Sequence, residues 1–483
     1  MIRYRAIGYV LGQLLLIFAG TMTVPMAWSL WAGDNSTAPL GWALIITLAV
    51  GGVAVRATGK PHRELTRREG LLLTVAAWLA ICLFGSLPFA FSPYFGGFTD
   101  AFFESVSGFT TTGATILEDV EGLPPGLQFW RCFSQWLGGM GIVLLGVAVL
   151  PLVGHGGMEL YRAEFSGAAS EKLKPRITET AMSLWRIYFA MSAVLFGLLR
   201  LAGMNSFEAL CHTFTTMGTG GFSTRNGSIG DFQSPLIEYI LISFMLLAGA
   251  SFVQHYRCWV ERRPASALRD IETRGYLALA AVAVLAIAVV LLGTGDYSGE
   301  QAFRSAAFQV SAILTTTGFS TDDFELWRPL PQLLLLVLMF VGGSTGSTAG
   351  GLKVARVLLL AKVVDREFKR MVEPRGVFSV RLGMATVHEA TIQGLLNLVY
   401  LALVVNFASC LLLASMGVDV LTSISAVAAS MFTIGPGLGA VGPTDTYAAL
   451  PGAAKWVLAS NMIAGRLEFY TLIVLLTPTF WRR

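Results

Sequence analysis

FESVSGFTTTGAT at residues 103–115, CHTFTTMGTGGFST at 211–224, FQVSAILTTTGFST at 308–321 and SMFTIGPGLGA at 430–440 are four versions of one segment, a short apolar helix that runs into threonine-rich chain and glycine. Aligning Gly113, Gly221, Gly318 and Gly435 gives separations of 108, 97 and 117 residues. A spacing of about 100 residues is too long for a solenoid and fits a duplicated unit of two long helices around a half-inserted loop. Each short segment, at roughly 12 residues, falls short of the hydrocarbon thickness of a bilayer and ends in residues that break helices. Irregular backbone at that depth is tolerated only where protein encloses it or where it lines water. Four such loops imply four walls around one aqueous axis.

The rest of the chain has the composition that this reading needs. Of 483 residues 54% are apolar and 13% charged, with a mean hydropathy of +0.65, against roughly 25% charged in soluble domains. Apolar stretches of bilayer-spanning length lie near 7–31, 38–57, 71–91, 128–153, 183–203, 235–258, 275–294, 330–361, 391–416 and 453–480, which predicts about ten transmembrane helices. The first is long and lacks a small-residue cleavage site, so it reads as a retained helix, not a leader. With both termini cytoplasmic, most of the 34 basic residues collect on the inside, in the runs Arg3/Arg5, Lys60–Arg68, Arg162–Arg186, Arg257–Arg274, Lys353–Arg381 and Arg482/Arg483. Acidic residues such as Asp34, Glu118, Asp231, Asp322, Glu325 and Asp445 fall outside. The basic runs are cytoplasmic flanks and predict no nucleic acid partner. The five cysteines and five histidines are dispersed, with no CxxC or HExxH, so no disulfide framework or transition-metal centre is expected.

The short helices carry start signals. Asn205 with Glu208 and Ser298 with Gln301 have capping-box spacing, and Asp100 and Asp419 suit the other two N-termini. The helices then enter from outside and point their C-termini inward, where four partial negative charges favour a cation. Above them, Gly permits the positive φ that turns carbonyl oxygens to the axis. Rings of carbonyls that replace a hydration shell are how potassium filters work, and the hydroxyls of Thr112 and Thr317 are expected to add a lower ring. The plainer reading, that Gly and Thr merely allow close helix packing, suits one loop better than four in equivalent positions. The fourth is the most divergent, because TIGPG replaces TTG and Pro436 braces it differently.

On these residues the chain resembles the Trk/Ktr/HKT superfamily of potassium transporters, and within it the TrkH pore-forming subunits of bacterial Trk systems. The likeness covers essentially the whole chain: an extra helix pair, then four hairpins carrying TTTGAT, GTGGFST, TTTGFST and TIGPG in order. It implies an all-α polytopic protein with four pseudo-fourfold repeats, divided as 1–69 (helix pair), 70–156, 157–264, 265–382 and 383–483. It also implies a homodimer in the bacterial inner membrane, and a cytosolic TrkA-like regulatory ring that carries the nucleotide, NAD or ATP. Carried over by position, the filter comprises Thr111, Thr112 and Gly113; Thr219, Gly220 and Gly221; Thr316, Thr317 and Gly318; and Thr433, Ile434 and Gly435. The GTGG string leaves the second register open by one residue. Gly113 resembles the potassium-selective members, since sodium-preferring plant relatives have Ser there.

Two features lie beneath the expected filter. The third inner helix is interrupted at GGSTGSTAGG, 342–351, where Gly and Ser make continuous helix costly. The resemblance implies an obstructing gate loop there, made of Gly342, Gly343, Ser344, Thr345, Gly346, Ser347, Gly350 and Gly351. Arg466, about midway along the last apolar stretch, must face protein or water. Glu468, two positions away, faces elsewhere on a continuous helix. A positive charge on the axis repels potassium and pairs with the loop, so Arg466 joins the gate. The segment from Lys353 to Arg381 is expected to carry the third helix into the cytoplasm and to offer a docking surface for the ring. An alternating-access carrier for another small solute is the alternative. An enzyme is not expected, because the spans hold no nucleophile with a base and no paired carboxylates.

Overall fold

The computed structural model describes residues 2–60, 65–148, 177–383 and 385–482. The expected 156/157 boundary and Arg162, Lys172, Lys174 and Arg176 of the basic runs lie outside these residues. Helices α1 (Tyr4–Ala32) and α2 (Thr37–Thr58) pair as a hairpin that turns at Gly33, φ 66°. After them the order of long helix, short helix, extended loop and second helix occurs four times. The first set is α3 (Arg67–Gly85), α4 (Phe98–Phe109) and α5 (Pro125–Ala148). The second is α6 (Ile177–Leu201), α7 (Ser206–Met217) and α8 (Pro235–Ala248), followed by α9 (Phe252–Trp259) and α10 (Pro264–Arg269). The third is α11 (Ile271–Leu292), α12 (Gly299–Leu314) and α13 (Pro329–Val341), followed by α14 (Val354–Val372) and a two-residue antiparallel bridge of β1 (Arg381–Leu382) with β2 (Ala385–Thr386). The fourth is α15 (Glu389–Ser415), α16 (Val420–Met431) and α17 (Gly452–Arg466), followed by α18 (Tyr470–Leu476) and the terminal turn α19 (Pro478–Trp481).

Among the described residues six helices are long and apolar enough to cross a bilayer, or eight if each of two bent pairs counts as one span. The bent pairs correct the expectation of continuous helices over 235–258 and 453–480: α8 and α9 meet at 100°, and α17 and α18 at 115°. Gly249 lies in the first break. The second contains no glycine, and Glu468 (φ 55°) and Phe469 (φ 54°) adopt left-handed backbone instead. The third second helix ends at Val341 and resumes at Val354, after a loop with Gly342, Gly346, Gly351 and Lys353 all at φ between 74° and 78°.

Capping follows local chemistry. Asn205, Ser298 and Asp419 each accept a hydrogen bond from the backbone N–H three residues on, as their spacing predicts. Asp100 does not cap: Gly97 occupies that position, and Asp100 pairs at 2.7 Å with Lys455 at the start of α17. Beside that pair Trp456 stacks on Phe102. A second ion pair of the same kind joins Glu238 in α8 to Arg304 in α12. These contacts tie the fourth set to the first and the second to the third, two of the four joints between neighbouring units. Residues Ala101 to Phe109 of α4 are all buried, Glu104 included.

Asp34 fastens the N-terminal hairpin to this ring. Its carboxylate accepts from the N–H of Gly126 at 2.7 Å and of Ser36 at 2.9 Å, and from the hydroxyls of Ser29 and Ser36. Burial opposes the charged form, but these hydrogen bonds outweigh it and hold the Asp34 carboxyl below its ordinary value. A carboxylate with a depressed folded pKa contributes stability above the unfolded value, about 3.9, that is lost as pH falls through the folded one. Asp34→Ala is therefore expected to lose about 1–3 kcal/mol at neutral pH. Thermal unfolding in detergent at neutral pH and below pH 4 checks this, the deficit shrinking in acid.

Candidate ion-conducting site

Each short helix ends in the same backbone motif. Thr111, Thr219, Thr316 and Thr433 have φ of 57°, 53°, 55° and 56°. The residues that follow, Thr112, Gly220, Thr317 and Ile434, each donate a 2.8 Å hydrogen bond back to the carbonyl five residues earlier. This is a Schellman ending, which normally takes Gly at its left-handed position. A β-branched residue there costs about 1–3 kcal/mol, and this chain accepts it four times. What Thr adds over Gly is a hydroxyl. The Thr111 and Thr433 hydroxyls are buried with no protein partner among the described residues, whereas Thr219 donates to the Gly218 carbonyl at 2.7 Å. Thr316 accepts from the Gly350 N–H at 2.7 Å. The expected lower ring from Thr112 and Thr317 is corrected accordingly: those hydroxyls turn to Thr110 and Thr315, both at 2.8 Å, and the equivalent residues Gly220 and Ile434 have none.

The next residues close the ring. A Cβ on Gly113 would lie 2.2 Å from the carbonyl oxygen of Gly220, one on Gly221 2.0 Å from that of Thr317, one on Gly318 1.8 Å from that of Ile434, and one on Gly435 2.8 Å from that of Thr112. Each glycine thus abuts the middle carbonyl of the next unit, in the order one, two, three, four and back to one. All four have φ between 78° and 100°, so they need glycine for conformation as well as for space. The shared pattern fixes the second register as Thr219, Gly220, Gly221.

Side chains behind the strands hold them in place, and they differ from unit to unit. Behind the first, Glu104 and Arg131, both essentially unexposed, pair at 2.6 Å. Glu104 accepts from the Ile116 N–H at 3.0 Å, and Arg131 donates to the Ser223 carbonyl at 2.9 Å while lying 3.7 Å over the Phe222 ring. Gln135 donates to the Gly220 carbonyl and accepts from the Phe222 N–H. His212 bonds Ser223 at 3.0 Å, and Tyr447 donates to the Gly435 carbonyl at 2.7 Å. Sequence reasoning passed over Glu104, Arg131 and Gln135, although a charge inside an apolar stretch is itself a signal.

The 342–353 loop lies directly beneath. Gly350 touches the Thr316 hydroxyl and packs against Phe432 and Thr433. The Thr348 hydroxyl donates to the carbonyls of Met217, at the end of α7, and of Ala248, at the end of α8. The break after α8 is its bed: Ser344 N–H donates to the Gly249 carbonyl at 2.8 Å, and Phe252 N–H to the Gly346 carbonyl at 3.1 Å. Gly342, Gly343, Thr345, Ser347 and Gly351 also belong to the loop, most of which is buried. Arg466 is not midway along a helix but ends α17. Its guanidinium donates to the carbonyls of Thr348 in the loop and Gly138 in α5, both at 3.0 Å. Glu468 turns away and binds Arg356 of α14 at 2.8 Å. Elements of the second, third and fourth units therefore bond to one loop, and Arg466 links it to Gly138 of the first.

The chain matches the profile of the TrkH family, described as cation transport proteins, over residues 41–482. The "Trk system potassium uptake protein TrkH" of Escherichia coli K12 is 40% identical over 482 residues, with 99% of both chains covered. That of Halomonas elongata is 41% identical over 486 residues, again with 99% of each covered. The crystal structure of the potassium transporter TrkH from Vibrio parahaemolyticus superposes with a TM-score of 0.92 at 36% identity over 100% of both chains.

The buried pair behind the first strand gives a direct expectation. Arg131→Ala removes the partner of the buried Glu104 and is expected to cost about 3–5 kcal/mol. The double change Glu104→Gln with Arg131→Met costs less, and thermal unfolding of purified variants in detergent distinguishes the two.

Proposed function

The chain belongs to the TrkH family of cation transport proteins, and on that premise we propose that potassium passes along the axis of the four loops and that the 342–353 loop with Arg466 is the gate. The protein takes up potassium across a membrane; it is a transporter and not an enzyme. The observation that carries the filter reading is the fourfold recurrence of a strained Thr followed by a Gly set against its neighbour's carbonyl. A dehydrated potassium ion needs several oxygens at once. Middle-residue carbonyls, each abutted by a neighbouring unit's glycine, with the Thr111, Thr219, Thr316 and Thr433 hydroxyls below, are such a set.

The architecture we propose for this function is four pseudo-fourfold units after an N-terminal pair, with about ten crossings. The basic runs support a reading with both termini on the cytoplasmic side of the bacterial inner membrane. The gate reading is supported by position. The loop fills the path below the filter, and Arg466 adds a charge that repels a cation arriving from above. Moving the loop aside needs work from outside the membrane. Helix α14, which continues directly from it, offers that connection to a cytosolic TrkA-like ring carrying NAD or ATP. A homodimer is the assembly we propose.

Rubidium and potassium flux into proteoliposomes tests both readings. Arg466→Ala is expected to raise flux by about tenfold, since it removes two charge-assisted hydrogen bonds from the closed state; unchanged flux in well-folded protein would refute the gate. Gly318→Ala is expected to abolish discrimination between potassium and sodium, whereas Gly435→Ala, with more room before the next carbonyl, should damage it less. Equal tolerance of both changes would sink the filter assignment.

A further inference from the structure

A loop that interrupts a buried helix exposes amide hydrogens as well as carbonyls. Arg466 deals with a carbonyl, that of Thr348. Three residues earlier the Thr345 N–H donates at 2.5 Å to Oε1 of Glu272, and the Ala355 N–H, in the first turn of α14, donates to the same oxygen at 3.4 Å. Glu272 belongs to the first turn of α11 and is itself buried. One carboxylate oxygen thus holds both limbs of the loop, the descending limb at Thr345 and the point where helix resumes.

We propose that Glu272 is the anionic latch of the gate, a positioning residue that holds the 342–353 loop in the path through its amides, where Arg466 holds it through a carbonyl. The proposal rests on the gate reading given above. Its physical basis is a differential contact. In the obstructing position the Thr345 and Ala355 amides are buried and need an acceptor, and a carboxylate is the strongest one available. Once the loop moves aside these amides meet pore water, and the bond to Glu272 is no longer required. A contact made in only one of two states shifts the balance between them. The site also has a route for control. Asp270 caps α11 just before Glu272, accepting from the Thr273 N–H at 2.9 Å, and α10 leads directly into that cap. A displacement of the α10–α11 junction would therefore reach the loop independently of α14.

The test measures rubidium flux into proteoliposomes without any regulatory partner, for the parent chain, Glu272→Ala, Glu272→Gln and Arg466→Ala. Amide hydrogen exchange of peptides covering 342–353 accompanies it. The latch predicts that Glu272→Ala raises flux on the order of tenfold, that the isosteric Glu272→Gln gives a smaller rise, and that both speed exchange within the loop. Potassium over sodium selectivity stays at the parent value, because the filter strands are untouched. Should Arg466→Ala raise flux while both Glu272 variants leave flux and loop exchange unchanged, the latch is wrong and the gate stands. If no variant changes flux, the gate reading itself fails. Loss of selectivity along with flux in Glu272→Gln would assign the residue a purely structural role and overturn the proposal.

Discussion

Every backbone N–H and C=O inside a bilayer must find a partner within the protein, and the structure depends on that constraint more than on any single contact. Each of the four short helices stops inside the bundle, and among the described residues the second helices of the second, third and fourth units are interrupted. The freed groups are not left to solvent. The ends of the short helices are closed by Schellman bonds, and the interrupted helices satisfy one another, the break after α8 lending Gly249 and Phe252 to Ser344 and Gly346 of the long loop. Arg466 and Glu272 supply the donors and acceptor that backbone alone does not. The lower half of the bundle is thus one connected hydrogen-bond system.

The upper half obeys a different rule. There the four units repeat one another in backbone to within a few degrees at the left-handed Thr, although their sequences and supporting side chains diverge. Glu104 with Arg131, Gln135, His212 and Tyr447 reach the same end by unrelated chemistry. A ring of carbonyls needs equal geometry at the axis and is indifferent to what holds the strands from behind. This leaves the outer contacts free to differ while the inner ones cannot. Beneath the ring nothing requires symmetry: one unit supplies the 342–353 loop, and the second and fourth units bond to it.

Much of this was legible in the chain. The recurrence of Thr and Gly at a spacing near 100 residues gives four units, and the helix starts at Asn205, Ser298 and Asp419 follow from local capping chemistry. The broken third helix follows from GGSTGSTAGG. Less visible was the second break in the fourth unit. It uses Glu468 and Phe469 in a conformation that neither residue favours, and only the surrounding contacts make that affordable. The pairing of Glu104 with Arg131 escaped for a related reason: each charge reads locally as an anomaly, and the two are 27 residues apart.

By itself the sequence determined the membrane class, the four recurrences of the Thr and Gly segment and the helix starts at Asn205, Ser298 and Asp419. All three rest on periodicity and on residue types whose conformational preferences are intrinsic. Only the tertiary structure decided which hydroxyls lie beneath the carbonyls, the register of the second unit, and the contacts by which Arg466 and Glu272 hold the loop. Those depend on which unpaired backbone groups come within hydrogen-bond reach. Packing between distant segments sets that reach, and no local propensity encodes it.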